Sequence, residues 1–298
     1  MRKKVVVTGA TGFLGSHLCA ALVQKYTVVA FNTTRERTLP SGVKFVQGDC
    51  RNVKLLKTVF KGAQYVFHAA ALPRVQDSID HPQETHDVNV NGTLAVLLAA
   101  RDAGVKRVVF SSSAAVYGDQ KEMPLAEDMR PSPKSPYGLH KYIGEEYLKL
   151  FGEVYGVSAV SLRYFNIYGP GADPQGPYAL AIGKFLEQRR RGKAITITGD
   201  GKQTRDFVHV LDVVRANILA ATSTKVKNGE IINIGSGRET TVRTVAALIG
   251  GPTKHIEKRF EPRRACADIT KAKRLLGWRP TTSIEEGIRE MKQLYKIV

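Results

Sequence analysis

Tyr137 and Lys141 stand four residues apart in SPYGLHKYIGEEY, residues 135 to 147, directly behind a Ser-Pro pair. Ser135 is a good helix N-cap and Pro136 a good first helical residue. The spacing therefore predicts a helix with Tyr137 in its first turn and Lys141 one turn later on the same face. A phenol, with a reference pKa of ~10, is a poor base at neutral pH. An ammonium, a helix N-terminus and a cationic ring nearby would each favour its phenolate. Ser113, in FSSSAAVYG at the end of the preceding β run, can bring a hydroxyl to the same place. The three groups make a proton-transfer set. Alone, Tyr and Lys at this spacing read more simply as a solvated helix face, so the rest of the chain has to decide.

Gly9, Gly12 and Gly15 in VVVTGATGFLGSHL follow the first predicted strand and open the first predicted helix. In that context glycines let backbone N–H groups and the helix N-terminus approach a pyrophosphate, and Gly15 lets helix pack closely on strand. The second strand ends in Asn32, where an acidic residue ordinarily accepts the adenosine ribose hydroxyls and repels a 2′-phosphate. Asn keeps the hydrogen bond without the repulsion, and Arg35 and Arg37 are close enough in sequence to attract a phosphate. NAD is the expected cofactor, with NADP left open. Asp49, in VQGDCRN after the third strand, is either an acceptor for the adenine amino group or a simple turn residue. Cys50 beside it, and Ala69, Ala70 and Ala71 after the fourth strand, are counted with the cofactor-binding positions.

Elements must position these groups, and the sequence supplies them in alternation. β-branched runs recur at KVVVTG, TVVAFN, VKFVQGD, QYVFHAAA, RVVFSSS, VSAVSLRYFN and EIINIGSG, most of them separated by stretches of helical periodicity. Helices are expected near 13–25, 52–61, 84–103, 135–155, 179–191, 210–223, 241–249, 268–276 and 283–296. Nearly continuous apolar strands in a βαβ series predict an α/β fold, a doubly wound parallel sheet of Rossmann type, with a smaller C-terminal α/β substrate domain. The crossover rhythm breaks after about residue 163, where Gly and Pro cluster in YGPGADPQGPY. The expected division is a dinucleotide-binding domain over 1–165, with return elements near 207–235, and a substrate-binding domain over 166–298.

Composition sets outer bounds. Lys and Arg number 45 against 27 Asp and Glu, a formal charge of +18 that suits an anionic ligand, a nucleic acid or merely a basic surface. The dense run EQRRRGK reads most simply as a helix ending at Gly192 with cations at its negative pole. No window approaches the ~20 apolar residues of a membrane span, and the start, MRKKVVVTGATG, does not read as a secretory signal. Cys19, Cys50 and Cys266 form neither a disulfide framework nor a zinc site, and a cytoplasmic protein is expected. His17, His68, His81, His86, His140, His209 and His255 show no ligand spacing, so no metal site is expected.

Taken in order, Gly9-x-x-Gly12-x-x-Gly15, Ser113 and Tyr137-x-x-x-Lys141 resemble the extended short-chain dehydrogenase/reductases. SSSAAVYGDQ, SPYG, LRYFNIYGP and GDGKQTRDFVHVLDVV resemble the UDP-glucose/UDP-N-acetylglucosamine 4-epimerases, over almost the whole chain. The resemblance implies an NAD-dependent 4-epimerase of nucleotide sugars such as UDP-glucose and UDP-galactose, and a homodimer joined through the helices at 84–103 and 135–155. In that role Tyr137 takes the sugar 4-hydroxyl proton, Lys141 binds the nicotinamide ribose and lowers the Tyr137 pKa, and Ser113 relays the proton. Phe13 and Leu14 give backbone contacts to the pyrophosphate, and Phe165 packs near the nicotinamide. Asn166 and Arg205 hold the substrate diphosphate, the guanidinium of Arg205 suiting a phosphate by itself.

Some positions depart from the family pattern. Ala114 and Ala115 stand where related dehydratases carry acidic residues, which favours epimerisation over removal of water. The Arg-x-Gly-Asp segment of the epimerases is replaced by the shorter PRRACAD, leaving Arg263 or Arg264 as the remaining phosphate contact and losing the Asp that would hold the substrate ribose. Small residues at Ala265 and Cys266 predict a pocket open to N-acetylated sugars. Pro73 replaces a Lys found in some members. Two rivals remain: a nucleotide-sugar 4-reductase or dehydratase of the same fold, and a non-catalytic RNA-binding or regulatory Rossmann protein. The intact Tyr/Lys/Ser set and the lack of an aromatic-basic stripe weigh against nucleic acid.

Overall fold

The computed structural model describes residues 2–35, 37–172, 181–257 and 263–297. Its elements run in chain order. First come β1 (Lys4–Thr8), α1 (Phe13–Leu22), β2 (Thr27–Asn32), β3 (Lys44–Gln47), α2 (Val53–Phe60) and β4 (Ala63–His68). Next are α3 (Val75–Asp80), α4 (Pro82–His86), a π-helical turn at Asp87–Asn91, α5 (Gly92–Asp102), β5 (Arg107–Ser113), α6 (Pro136–Tyr155) and β6 (Ala159–Tyr164). β7 (Asn166–Tyr168), α7 (Ala181–Arg190), β8 (Ile195–Thr198), β9 (Thr204–Arg205), β10 (Phe207–His209), α8 (Val210–Thr222) and β11 (Glu230–Ile234) follow. The chain closes with β12 (Thr240–Thr241), α9 (Val242–Ile249), β13 (Thr253–Ile256), α10 (Thr270–Leu276) and α11 (Ile284–Leu294).

Seven strands form one parallel sheet in the order β11-β6-β5-β4-β1-β2-β3. They are the seven β-branched runs of the sequence. The run VSAVSLRYFN splits at Phe165, because β6 pairs inside the large sheet while β7 leaves it to pair with β10. Side chains alternate across the sheet. Val5 and Val7 pack in a cluster with Leu18 of α1, Val213 of α8 and Ala272 of α10. Val6 packs on the opposite face with Leu56 of α2, Val96 of α5 and Leu148 of α6. A third core joins Phe185 of α7, Ile197 of β8, Val245 of α9 and Ile288 of α11, beside the sheet's C-terminal half.

Strand order reverses between β1 and β4, the switch point where doubly wound sheets open a crevice at their strands' carboxyl ends. Two glycines let the chain turn there. Gly9 adopts φ +67°, and a Cβ on it would lie 2.6 Å from the Ala70 nitrogen. A Cβ on Gly15 would lie 2.1 Å from the Gly9 carbonyl, so the first turn of α1 sits against the loop only because that residue has no side chain.

Beneath the crevice lies a buried charge pair. Glu145 of α6 accepts from Arg163 Nε (2.8 Å) and Nη2 (2.7 Å), and from Ser112 Oγ (2.5 Å). Both charged residues are 1% exposed, and the Arg163 guanidinium lies 4.6 Å over the Tyr117 ring. Removing one partner strands the other away from water. Glu145→Ala is expected to lower the unfolding free energy by about 3–5 kcal/mol, and Glu145→Leu combined with Arg163→Met to recover most of that loss. Urea midpoints measure both; a single-variant loss below about 1 kcal/mol would mean that water reaches the pair.

Candidate active site

The glycine loop, the ends of β4, β5 and β6, and the first turns of α6 enclose a cavity of about 510 Å³, within the size range of small-molecule and cofactor sites. Gly12, Phe13, Leu14 and Gly15 form one wall. Gly12 is the N-cap of α1 and no side chain caps it, so a helix N-terminus with unsatisfied N–H groups opens onto the cavity. That donor set fits the pyrophosphate of a dinucleotide.

The opposite wall carries the proton-transfer set. α6 begins as the sequence predicts: Ser135 Oγ accepts from Gly138 N (3.2 Å), and Pro136 is the first helical residue. A second hydroxyl, that of buried Ser78 on α3, accepts the Tyr137 N–H at 3.0 Å. The start of α6 is thus held by its own cap and by a helix that the sequence reading did not foresee. Lys141 Nζ donates to the Ser111 carbonyl at 2.7 Å and lies 5.7 Å from the Tyr137 ring centroid and 4.9 Å from that of Phe110. Burial pushes the Tyr137 phenol up to about 12, while a hydrogen bond with Ser113 pulls it back. Burial drops Lys141 to about 8, and the Glu145 carboxylate one turn further works against that fall. A cation therefore stands beside the phenol, tied to the backbone of β5.

Most of the predicted positions converge here. Gly9, Gly12, Phe13, Leu14, Gly15, Ala69, Ala71, Ser113, Tyr137, Lys141, Phe165 and Asn166 all line the cavity, as do Ala114 and Ala115. Ala70 is turned towards β1, its N–H to Thr8 Oγ1 at 3.4 Å. Asn32 and Arg35 lie beyond the cavity wall, beside the glycine loop, which reaches them through Thr11 Oγ1 to the Thr34 carbonyl (3.1 Å). Asp49 is engaged by Arg51, which also pairs with Asp87. The Cys50 thiol faces the core, where burial pushes it up to about 12, and the residue does not line the cavity. Arg205 and Arg263 stand apart from the cavity but together, since Thr204 N donates to the Arg263 carbonyl at 3.0 Å. Sequence reasoning missed Val75, Ser111, Ser112, Tyr164 and Ile167 as lining residues. Of these, the two serines adjoin Ser113 in SSS, and Tyr164 and Ile167 flank the Phe165-Asn166 pair, a signal that was available.

Asp206, next to Arg205, is fully buried and gathers four donors: Ser236 N (2.5 Å), Ser236 Oγ (2.7 Å), Gly237 N (2.9 Å) and Ala267 N (3.0 Å). Asn166 N donates to the Asp206 carbonyl at 3.0 Å. These bonds bring β7, β9 and the segment before α10 to one place. His68, buried between Thr8 Oγ1 (2.8 Å) and Thr93 Oγ1 (3.1 Å), is lowered to about 3, first by burial and then by Lys141, and so packs as a neutral ring. Among the described residues no group of His, Cys, Asp and Glu could hold a metal ion. A larger groove of about 1050 Å³ runs between Ser236–Thr241, Arg264–Thr270 and Arg279–Glu286. It contains none of the proton-transfer groups, and Glu239 and Glu286 there are already bound to Arg264 and to Ser283.

Crossovers on both faces of a parallel sheet, with a glycine loop at the switch point, define the dinucleotide-binding class of doubly wound proteins. Residues 5–235 match the model of the NAD dependent epimerase/dehydratase family, and the chain belongs to that family. It is 35% identical to a UDP-glucose 4-epimerase of Mycolicibacterium smegmatis over 98% of each chain. Among solved structures, the UDP-glucose 4-epimerase of Thermotoga maritima with UDP-glucose is similar at a TM-score of 0.92, with 36% identity over 98% of each chain. The UDP-glucose 4-epimerase of Thermus thermophilus in complex with NAD gives 0.89, with 32% identity over 98% of this chain and 99% of the other.

Burial of the Lys141 charge has a consequence for stability. The unfolded lysine titrates near 10.5 and the folded one near 8. Between those values the unfolded state binds more protons, so this residue's contribution to stability rises with pH. Relative to Lys141→Met, the parent is expected to gain up to about 3 kcal/mol between pH 8 and 10.5. Urea unfolding of the two proteins across that range measures it, and a difference that stays flat would contradict a buried charge.

Proposed function

We propose that the chain is an NAD-dependent nucleotide-sugar 4-epimerase that interconverts UDP-hexoses such as UDP-glucose and UDP-galactose. The observation that carries this reading is the meeting of Ser113, Tyr137 and Lys141 in the cavity onto which the glycine loop opens. Gly12, Phe13, Leu14 and Gly15 would hold the cofactor pyrophosphate, and Lys141 the nicotinamide ribose. Bound there, NAD would supply the acceptor and donor of hydride at the sugar C4.

The chain's own residues do the rest. Tyr137 takes the proton of the sugar 4-hydroxyl and, once the 4-keto sugar has turned its other face to the cofactor site, returns it to the same oxygen, to which Ser113 is hydrogen-bonded. Lys141, held to β5 by the Ser111 carbonyl, favours the phenolate by its charge. A bound nicotinium adds to that charge, and together they must bring the phenol down from the high value that burial alone imposes. Ala114 and Ala115 line the cavity without an acid or base, which supports epimerisation over dehydration. Asn166, Arg205 and Arg263 are the groups we assign to the substrate diphosphate, the cations attracting it while the sugar turns. Residues 166–298 serve on this reading as the substrate-binding part. The return of α8 and β11 onto the sheet supports a first domain built from 1–165 and 207–235.

Homodimerisation through α6 is supported by its exposed Leu139, Leu150 and Val154. Three free, buried cysteines support a reducing, cytoplasmic setting, and no helix among the described residues is long and apolar enough to cross a membrane.

The test is incubation with UDP-glucose, UDP-galactose and their N-acetyl forms, with separation of the products. Interconversion of at least one pair is expected; no interconversion of any pair would refute the assignment. Tyr137→Phe is expected to lower turnover by roughly 10²–10⁴-fold with dinucleotide still bound, and retained turnover would remove Tyr137 as the base.

A further inference from the structure

The loop after β2 departs from what a site selective for NAD requires. Such selectivity rests on a carboxylate at the end of the second strand, which accepts the adenosine ribose hydroxyls and repels a 2′-phosphate, whereas an arginine there accommodates one. In this chain β2 ends in Asn32, and its neighbours in the sheet place that residue at the adenosine end of the crevice. Asn32 pairs with Gln47 of β3, the Ala10 N–H of the glycine loop reaches the Phe31 carbonyl at 3.4 Å, and Thr11 Oγ1 donates to the Thr34 carbonyl at 3.1 Å. The Asn32 amide donates through Nδ2 to the Thr34 carbonyl at 3.0 Å. Its Oδ1 has no partner among the described residues and can accept a ribose hydroxyl.

Two guanidinium groups follow this position in the loop, and each has one contact that orients it. Arg35 lies 5.7 Å from the centroid of the Phe45 ring on β3, a cation–π arrangement that keeps the guanidinium over the sheet edge. Arg37 Nη2 donates to the Gly171 carbonyl at 2.7 Å, which draws it back towards the glycine-loop side, where His17 of α1 contacts the adjacent Pro170 carbonyl at 2.8 Å. Neither arginine forms an ion pair with a carboxylate among the described residues; Glu36, between them in sequence, lies outside those residues. Guanidinium is the side chain best matched to phosphate oxygens.

We infer that this loop is a 2′-phosphate cradle and that the protein binds NADP(H) as well as NAD(H), with Asn32 permitting the phosphate and Arg35 and Arg37 contacting it. The inference rests on the dinucleotide-binding reading of the cavity and extends it to the cofactor's second phosphate site. It also gives a use to part of the chain's excess positive charge.

Calorimetric titration of the purified protein, freed of co-purifying dinucleotide, with NAD and NADP in parallel tests it. The parent is expected to bind NADP within roughly tenfold of NAD, and Arg35→Gln to weaken NADP by about tenfold or more while leaving NAD nearly unchanged. Asn32→Asp should weaken NADP more strongly, at least about 50-fold, with NAD held or improved. NADP affinity should also fall more steeply than NAD affinity as salt is raised. An NADP affinity more than about 100-fold below that of NAD in the parent, or equal losses for both dinucleotides in Arg35→Gln, overturns the cradle while leaving the dinucleotide site intact. Failure of both dinucleotides to bind overturns the site itself, and the cradle with it.

Discussion

A carboxylate with no access to water dictates much of what surrounds it. Glu145 is buried against the Arg163 fork and the Ser112 hydroxyl, which take the place of the water it has lost. Those partners come from two strands, β6 and β5, while Glu145 itself stands on α6, so satisfying one buried charge ties the helix that bears Tyr137 to the strand that bears Ser113 and the strand that leads into Phe165. Lys141 lies one turn before Glu145 and shares the same buried layer, tied to the Ser111 carbonyl. The floor of the site is thus a charged layer whose hydrogen bonds cross from the helix to two strands.

The same layer governs proton affinity. Burial raises the Tyr137 phenol and lowers the Lys141 ammonium, each moving towards its neutral form. Left to desolvation, the pair would be uncharged and inert. Ser113 and Glu145 oppose that drift, the first by hydrogen-bonding to the phenol and the second by favouring the ammonium. A ligand with a positive ring would oppose it further. Reactivity in such an arrangement belongs to the filled cavity more than to the empty one.

Local pattern made the seven sheet strands and the Ser-Pro start of α6 legible, because each follows from side-chain period and from capping chemistry within a few residues. What escaped was set at long range or in short pieces. The six residues of α3 carry too few turns to show a period, yet Ser78 on that helix holds the Tyr137 N–H. The π-helical turn at Asp87–Asn91 was absorbed into one long expected helix, since no Gly or Pro between 84 and 91 marks the change. The Glu145–Arg163 pair and the four donors around Asp206 join residues separated by 18 to 61 positions, and no single-chain periodicity records such partners. Among site residues, those on the glycine loop and at strand ends were readable from motif. Asn166 and Arg205 rested on resemblance, and the two lie on strands of separate two-stranded sheets linked through the Asp206 backbone.

Asp206 bears on how this lobe can change in evolution. Its carboxylate clasps Ser236, Gly237 and Ala267, so the strand with Arg205, the turn after β11 and the approach to α10 are joined by one knot instead of by the length of chain between them. Segments leading into such a knot are free to gain or lose residues without altering what the knot holds. PRRACAD, which the resemblance implies to be shorter than its epimerase counterpart, leads into this knot through Ala267. Loop length can therefore vary around this knot while the Tyr137 and Lys141 set, fastened to the sheet, stays as it is.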